Sequence, residues 1–211
     1  MEKVDYKKDF KDIYFPKKEP MLIDLKKMVY FMVDGKGDPN TSEEYKNALE
    51  ILYGLSFTVK MSPKKNVNLE GYHEYTVFPL EGLWWSENDI FTKDGPTDKS
   101  AFCWTSMIRQ PDFVSKEVFD WALSALKEKK PELDYSKLRY SELEEGKCAQ
   151  IMHIGPYDDE PATVKKLTDF ISDQGYTLDL NENRKHHEIY LGDPRKSKPE
   201  NLKTVIRYPI K

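Results

Sequence analysis

Apolar positions fall into the same order twice along the chain, which is the strongest regularity of the sequence. An apolar run over residues 28–33 leads through a turn at residues 34–39 into a segment with helical spacing. A second run over residues 148–154 leads through a turn at residues 155–158 into another such segment. Two further strand-like segments follow each helical segment. The pattern therefore predicts a βαββ module that occurs twice.

The spacing of apolar residues places helices and strands around these turns. The first helix begins with a capping box formed by Thr41 and Glu44. The second begins at Pro161 and ends at Gly175, since proline suits a first turn and glycine suits a helix end. An apolar stripe over residues 115–130 has no counterpart, so we interpret it as a connecting helix. The predicted strands that complete the two modules are 75–85 and 101–108, then 186–191 and 204–209.

These elements predict an α+β fold. In it, the duplicated βαββ modules form an antiparallel sheet, with helices on one face and a ligand cleft between the copies. Charged residues and two prolines dominate residues 1–27, which we interpret as an extended lead-in that covers an edge or packs on the surface. The predicted boundaries are a single domain over 28–211, with the first module at 28–111, the connecting helix at 115–130 and the second module at 146–211.

Bulk composition narrows the class of partner. The 37 acidic and 33 basic residues give a formal net charge of -4, so there is no basic footprint for nucleic acid. The mean hydropathy of -0.75 and the lack of a long apolar run predict neither export nor a membrane span. Cys103 and Cys148 are too few for a disulfide framework, which is typical of a reducing cytoplasm.

Candidate chemistry lies on the strands of the second half of each module. Strand alternation places Glu188 and Tyr190 on one face, and His187 on the other. In the first module Glu81 and Trp85 share a face by the same rule. The duplication then predicts that Glu81 and Glu188 lie on opposite sides of a central cleft.

Two carboxylates in an aromatic pocket have two possible uses. One is attraction of a cation, to which aromatic faces add roughly 0.5–2 kcal/mol each through cation–π contacts. The other is general-base catalysis, because burial disfavours the ionised carboxylate and raises its pKa toward the working pH. A salt bridge or simple exposure on a strand is the ordinary alternative for each Glu. The residue pattern leaves these uses open.

Aromatic residues make up 13% of the chain and supply candidate walls for a ligand pocket. Trp84 and Trp85 share one predicted strand and Trp104 lies on the next. Clustered tryptophans can bind a ligand, but they can equally form ordinary core. Tyr157 follows a turn, where a tyrosine can serve either local packing or ligand binding.

The histidines raise the question of a metal. His153 and the pair His186 and His187 lack the spacing of a known ligand set, and no cysteine cluster accompanies them. Gly35 and Gly37 also lack the spacing of a phosphate-binding glycine motif. The sequence predicts neither a metal nor a cofactor.

Several motifs resemble a known family. They are residues 153–157 (His-Ile-Gly-Pro-Tyr) before the Pro161 helix, residues 187–195 (His-Glu-Ile-Tyr-Leu-Gly-Asp-Pro-Arg) and residues 203–209 (Lys-Thr-Val-Ile-Arg-Tyr-Pro). In these segments, and over most of its length, the chain is similar to the GyrI-like small-molecule-binding domains, which are built from a duplicated SHS2-type βαββ module. Residues 14–17 and 35–40 further resemble the stand-alone bacterial members.

The resemblance implies a function. Family ligands are often aromatic and frequently cationic, and a central glutamate that maps onto Glu188 holds them between the modules. Some stand-alone members hydrolyse cyclopropanoid electrophiles, which implies detoxification. In such a hydrolase Glu188 or Glu81 would activate water, and Tyr157 or Tyr190 would donate a hydrogen bond to the developing phenolate. The ligand-binding residues implied beside them are Trp84, Trp85, Trp104, Tyr190 and His153.

A non-catalytic protein is the competing interpretation. The same cleft could serve a multidrug or cation sensor, or a sequestering protein that modulates a transcription regulator or gyrase. Glu188 would then pair with a ligand cation instead of activating water. The chain shows no helix-turn-helix segment, so we expect no direct binding of nucleic acid, and the sequence names no protein partner.

Overall fold

A computed structural model describes residues 3–86, 99–193 and 196–211, and these form an eight-stranded antiparallel sheet with helices. The strands are β1 Met21–Leu25, β2 Met28–Lys36, β3 Leu80–Ser86, β4 Phe102–Arg109, β5 Leu138–Leu143, β6 Gly146–Ile154, β7 His186–Tyr190 and β8 Lys203–Pro209. The main helices are α1 Tyr6–Asp9, α2 Lys11–Tyr14, α3 Glu43–Lys60, α4 Lys116–Lys129 and α5 Glu160–Asp173. Most of the predicted polar loop between β3 and β4 lies outside the described residues, as do Pro194 and Arg195 of the second motif.

The strand order is β1-β6-β8-β7-β3-β4-β2-β5, and every pair of neighbours is antiparallel. The first βαββ module is β2-α3-β3-β4 and the second is β6-α5-β7-β8, which meet at the central pair β3 and β7. The α+β fold of duplicated modules is therefore confirmed. The exact module boundaries stay predictions.

Two strands, β1 and β5, were not predicted. Each of them directly precedes one module in the chain but pairs with the other module in the sheet. Strand β1 precedes β2 in the chain but pairs with β6 of the second module. Strand β5 precedes β6 but pairs with β2 of the first module. The prediction of an extended lead-in over residues 1–27 was wrong for the helices α1 and α2, while β1 is extended and forms one edge of the sheet. Both missed strands are short and half-buried, so their apolar patterns are weak.

Helices α3, α4 and α5 cover one side of the sheet, which we call the front face. Helix α3 begins at the cap residue Ser42, whose Oγ accepts the Tyr45 N–H at 3.2 Å, one residue after the predicted Thr41. Buried residues of α3 pack on β2 and β4, and Leu167 and Ile171 of α5 pack on β6 and β8. Burying each such aliphatic side chain contributes about 1.5–3 kcal/mol. The helices thus flank the central strands on either side.

The other side of the sheet, the back face, holds a second and smaller core. Its buried members are Leu25, Met28, Tyr30, Met32, Met107 and Cys148. The short helix α2 lies over this side, since Tyr14 reaches the strand residue Glu81 and the backbone of Asp12 and Ile13 accepts bonds from Gln150 and Arg207. Helical segments consequently lie on both faces, the three longer ones on the front.

Candidate functional site

The two modules meet where β3 runs beside β7. In this pair Gly82 lies opposite Glu188, Leu80 opposite Tyr190 and Trp84 opposite His186. Residues directly opposite each other in an antiparallel pair share a face. Glu188, Tyr190 and Trp84 therefore all face the front. We call the strip of front face between α3 and α5 the seam; it comprises Tyr45, Trp84, Tyr157, Glu160, Glu188 and Tyr190.

Glu188 lies at the centre of the seam with both carboxylate oxygens hydrogen-bonded. His186 Nε2 lies 2.8 Å from Oε1, and the Tyr190 hydroxyl donates to Oε2 at 2.7 Å. Trp84 Nε1 donates in turn to the Tyr190 oxygen at 2.8 Å. Burial raises the pKa of Glu188, but the hydrogen bonds from His186 and Tyr190 and the His186 charge outweigh burial and lower that pKa below its ordinary value. Glu188 is thus a carboxylate at neutral pH.

The relay from Trp84 through Tyr190 to Glu188 depends on a glycine. A Cβ at Gly82 would lie 2.6 Å from Trp84 Nε1 and 3.3 Å from the Tyr190 oxygen. Because Gly82 has no side chain, the Trp84 indole can lie over Gly82, directly opposite Glu188. Trp84 is 5% exposed, so it supports the relay more than it offers an open stacking surface.

Glu160, the first residue of α5, is a second acid at the seam. Its Oε1 is buried and finds no hydrogen-bond partner among the described residues. Burial, followed by the charges of Glu188 and Asp158, raises the pKa of Glu160 to about 10. At neutral pH this residue is a carboxylic acid with a proton to donate. Sequence reasoning missed Glu160, although its position three residues after Tyr157 in a helical turn places both on one side.

Tyr157 lies at the rim of the seam. Its side chain is 39% exposed and its ring stands edge-on to Tyr190, with centroids 6.1 Å apart. Partial burial and the nearby Glu188 and Glu160 charges raise the pKa of Tyr157 to about 12. The hydroxyl consequently stays protonated and can act as a donor. The structure thus places Tyr157 beside Tyr190, which bonds Glu188.

Trp104 and Tyr45 form the floor on the first-module side. Trp104 is fully buried, with its ring edge-on to Tyr45 at a centroid distance of 5.0 Å. Its ring packs so close to Gly35 that a Cβ there would lie 2.2 Å away. Trp104 is therefore core beneath the seam, whereas Tyr45 lies between it and Trp84 at 6.1 Å from the latter ring.

Glu81 and Trp85 face the back, and the predicted placement of Glu81 across a cleft from Glu188 was wrong. Gly82, and not Glu81, lies opposite Glu188, so a register offset of one residue turns Glu81 to the other side. Trp85 follows the same alternation, and Lys185 Nζ lies 4.9 Å from its ring centroid. Neither side chain can reach a ligand that contacts Glu188 on the front.

On the back face Glu81 belongs to a buried polar network. It accepts from the Tyr14 hydroxyl at 3.3 Å and lies 3.0 Å from His187 Nε2. Glu145 lies 2.8 Å from His187 Nδ1 and accepts from Arg207 Nη1 at 2.8 Å. Burial raises the pKa of Glu145, but the His187 and Arg207 charges outweigh it and lower the pKa to about 2. Burial lowers the pKa of His187, but the bonds and charge of Glu145 and the bond to Glu81 outweigh burial and raise that pKa above its ordinary value.

His153 does not face the seam as a free ligand-binding group. Its Nδ1 lies 2.8 Å from Thr163 Oγ1 and its Nε2 lies 3.0 Å from the Pro156 carbonyl oxygen. With the ring 3% exposed, both nitrogens are occupied by the protein itself. The structure therefore gives His153 internal bonds in place of the predicted ligand contact.

Within the described residues, no group of three or more His, Cys, Asp and Glu side chains is arranged to hold a metal ion. The same part of the chain contains no helix that is long and apolar enough to cross a membrane. The side chains of the seam carry carboxyl, phenol and indole groups, and the His186 imidazole bonds Glu188.

A duplicated βαββ sheet with an acidic, aromatic seam between its modules defines a class of small-molecule-binding proteins. Residues 18–211 match the GyrI-like small molecule binding domain, and the chain belongs to that family. A search of curated proteins gives no match.

Solved structures from Listeria innocua are similar over the whole chain. One, described as a hydrolase, is 43% identical with a TM-score of 0.89, and covers 99% of this chain and 100% of its own. Another from that organism, also described as a hydrolase, is 44% identical with a TM-score of 0.90 over 100% of both chains. The C-terminal domain of EcmrR is 12% identical with a TM-score of 0.53, covering 92% of this chain and 97% of its own, and shares the fold alone.

Proposed function

We propose that the protein binds planar, uncharged aromatic compounds at the seam and adds water to a strained electrophile of the cyclopropanoid type. The observation that carries the proposal is a pair of acids at the seam in different surroundings, Glu188 with a partner on each oxygen and Glu160 with a buried oxygen that has no partner among the described residues. These surroundings lower the pKa of Glu188 and raise that of Glu160. Two titratable groups with pKa values pushed apart are the usual basis of acid and base roles in one site. Membership of a small-molecule-binding family and the hydrolase description of two similar structures support the same function.

The reaction would proceed by addition of water across the strained bond of a cyclopropane fused to a dienone. Glu188 accepts a proton from water while the water oxygen attacks a ring carbon. The carbon–carbon bond breaks, its electron pair enters the dienone ring, and the ring becomes a phenol as Glu160 donates a proton to the carbonyl oxygen. Tyr157 would add a hydrogen bond to that oxygen. General acid and base assistance each supply about 10²–10⁴-fold.

The charges at the seam favour a neutral ligand over a cation. His186 and Tyr190 each bond one oxygen of Glu188, which offsets part of its negative charge but leaves lone pairs for a water molecule, and Glu160 carries no charge at neutral pH. A ligand cation would therefore find little opposing charge at the seam, and burying it without full pairing costs free energy. The cation sensor is therefore the less favoured alternative.

The test is turnover of a spirocyclopropyl cyclohexadienone by the purified protein, followed by mass spectrometry for a product heavier by one water. We expect Glu188→Gln to lower kcat by about 10²–10⁴-fold and to leave the dissociation constant, measured by tryptophan fluorescence, nearly unchanged. Glu182→Gln, on an exposed position before β7, is the matched control. Tight binding without a hydrated product would move the function to a sensor, and full turnover in Glu188→Gln would refute the base.

A further inference from the structure

The turn that carries Tyr157 and Glu160 is held from below by one imidazole. His153 lies on β6, whose partner residue in β8 is Thr204, and its ring is buried beneath the turn. The Pro156 carbonyl oxygen can only accept a hydrogen bond, so His153 Nε2 carries the hydrogen and donates to it. In the neutral ring Nδ1 then accepts from the Thr163 hydroxyl.

These two bonds join the two ends of the segment. Pro156 stands at its beginning, directly after Gly155, whose φ of 137° makes the chain reverse there. Thr163 lies in the first turn of α5, three residues beyond Glu160. The Gly155 N–H also donates to the carbonyl oxygen of Leu202, the residue before β8, at 3.1 Å. The His153 side chain thus fixes the distance between the turn at Pro156 and helix α5.

We propose that His153 is a positioning residue that holds Glu160 and Tyr157 over Glu188. This inference rests on the proposed function, in which Glu160 donates and Glu188 accepts a proton. We call the bonds from His153 to Pro156 and Thr163 the His153 clamp. A group that must approach a reacting atom loses much of its effect when it shifts by about 1 Å, so the clamp governs how well Glu160 serves as an acid.

The environment of Glu160 gives the clamp a measurable signature. The titratable groups facing its carboxyl are Glu188 and Tyr190 of β7, Tyr208 of β8, and Asp158 with Tyr157 of its own turn. Burial among these groups keeps the acid protonated. Releasing the clamp would admit water to the carboxyl and lower its pKa toward the ordinary range of a glutamic acid.

The experiment is a carbon-13 NMR titration of the Glu160 carboxyl, assigned by the signal that Glu160→Gln removes. It compares the natural protein with Thr163→Val, which breaks the clamp on the helix side and leaves the imidazole in place. Thr168→Val is the matched control, because its hydroxyl bonds the α5 backbone at Lys165 and lies off the turn. His153→Leu breaks both bonds, and His153→Gln offers a replacement donor to Pro156.

We expect the pKa of Glu160 to fall by roughly one to three units in Thr163→Val and more in His153→Leu, but not in Thr168→Val. With the dienone substrate, kcat should fall about 10-fold with KM changed less than about threefold, and the alkaline limb of the pH profile should move down with the pKa. His153→Gln should restore part of both. An unchanged Glu160 titration in the clamp variants, or a loss of thermal stability alone, would overturn the inference. Absence of turnover in the natural protein would refute the proposed function. The titration of Glu160 would still test whether the His153 clamp positions that residue.

Discussion

Two sets of the same three residue types lie back to back across strand β7. Each is a glutamate held by one histidine and one tyrosine. The two histidines, His186 and His187, are consecutive on β7 and therefore point to opposite faces of the sheet. The front glutamate has a side chain that is 13% exposed, whereas the back one is 1% exposed. The front set is Glu188, His186 and Tyr190, and the back set is Glu81, His187 and Tyr14.

The difference lies in what surrounds each glutamate. On the back, Glu145 and Arg207 complete a network in which positive and negative groups alternate, so the set is closed. On the front, Glu188 faces the neutral acid Glu160, which has an oxygen without a partner in the described part of the chain, and solvent reaches the Glu188 carboxylate. The same chemical groups therefore hold the fold together on one side and remain available to a ligand on the other. Surroundings, more than residue type, decide between these roles.

The largest expected effect is on the closed set. Glu81→Gln removes a carboxylate oxygen that bonds His187 or Tyr14 in a fully buried network, so we expect the free energy of unfolding to fall by about 3 kcal/mol. Urea unfolding measures this loss. Because Glu81 does not face the seam, kcat per folded molecule should stay within about twofold. A large fall of kcat with normal stability would reverse the comparison between the two sets.

At the seam, Glu160→Gln should lower the activity and raise the stability of the protein. The unfolded chain loses this proton above a pH of about 4.5 and the folded chain only near 10, so the contribution of Glu160 to stability falls as the pH rises across that interval. Glutamine removes this dependence, and we expect the variant to gain about 1–3 kcal/mol at pH 8 relative to the natural protein. Its kcat should fall by about 10²-fold and lose the alkaline limb.

Urea unfolding at pH 5 and at pH 8, with kcat followed over the same range, checks both parts. A variant that is equally destabilised at both pH values would show that Glu160 is ionised and paired in the folded protein, which contradicts its role as an acid.

A smaller effect is expected from Gly82→Ala. The new methyl would press on the Trp84 indole and break its bond to Tyr190, at a cost of about 1–2 kcal/mol in stability. Glu188 would keep its carboxylate but lose a fixed orientation, so we expect kcat to fall about 10-fold. Trp84→Phe, which removes the N–H donor, should reproduce the loss of kcat. Stopped-flow turnover and thermal unfolding measure the two quantities, and unaltered kcat in both variants would exclude the relay.

The smallest expected effect is that of Trp85→Ala. This ring lies on the back face beside Lys185, so its removal should change ligand affinity by less than about twofold. Loss of the partly buried ring should cost about 1–2 kcal/mol of stability. Titration of the dienone by the fluorescence of the remaining tryptophans gives the affinity. A tenfold weakening would mean that the ligand reaches the back face.

Residues 28–36 and 146–154 show why so much of the fold could be predicted. Both are long apolar runs next to a glycine turn and an amphipathic helix, and local signals of that kind depend little on distant residues. The shared face of Glu188 and Tyr190 could be predicted for the same reason, since it follows from strand alternation. Strands β1 and β5 could not, because their place is set by pairing with the other module. The state of Glu160 also could not, since it depends on burial beside a strand distant in sequence.

The placement of β1 and β5 has a consequence for dividing the protein. If the chain were divided in the segment after α4, each piece would carry a strand that completes the sheet of the other. The pieces would then interlock at both outer edges as well as along the central pair β3 and β7. Such mutual completion is what a split reporter needs, with the seam reassembled only when the two fragments are brought together.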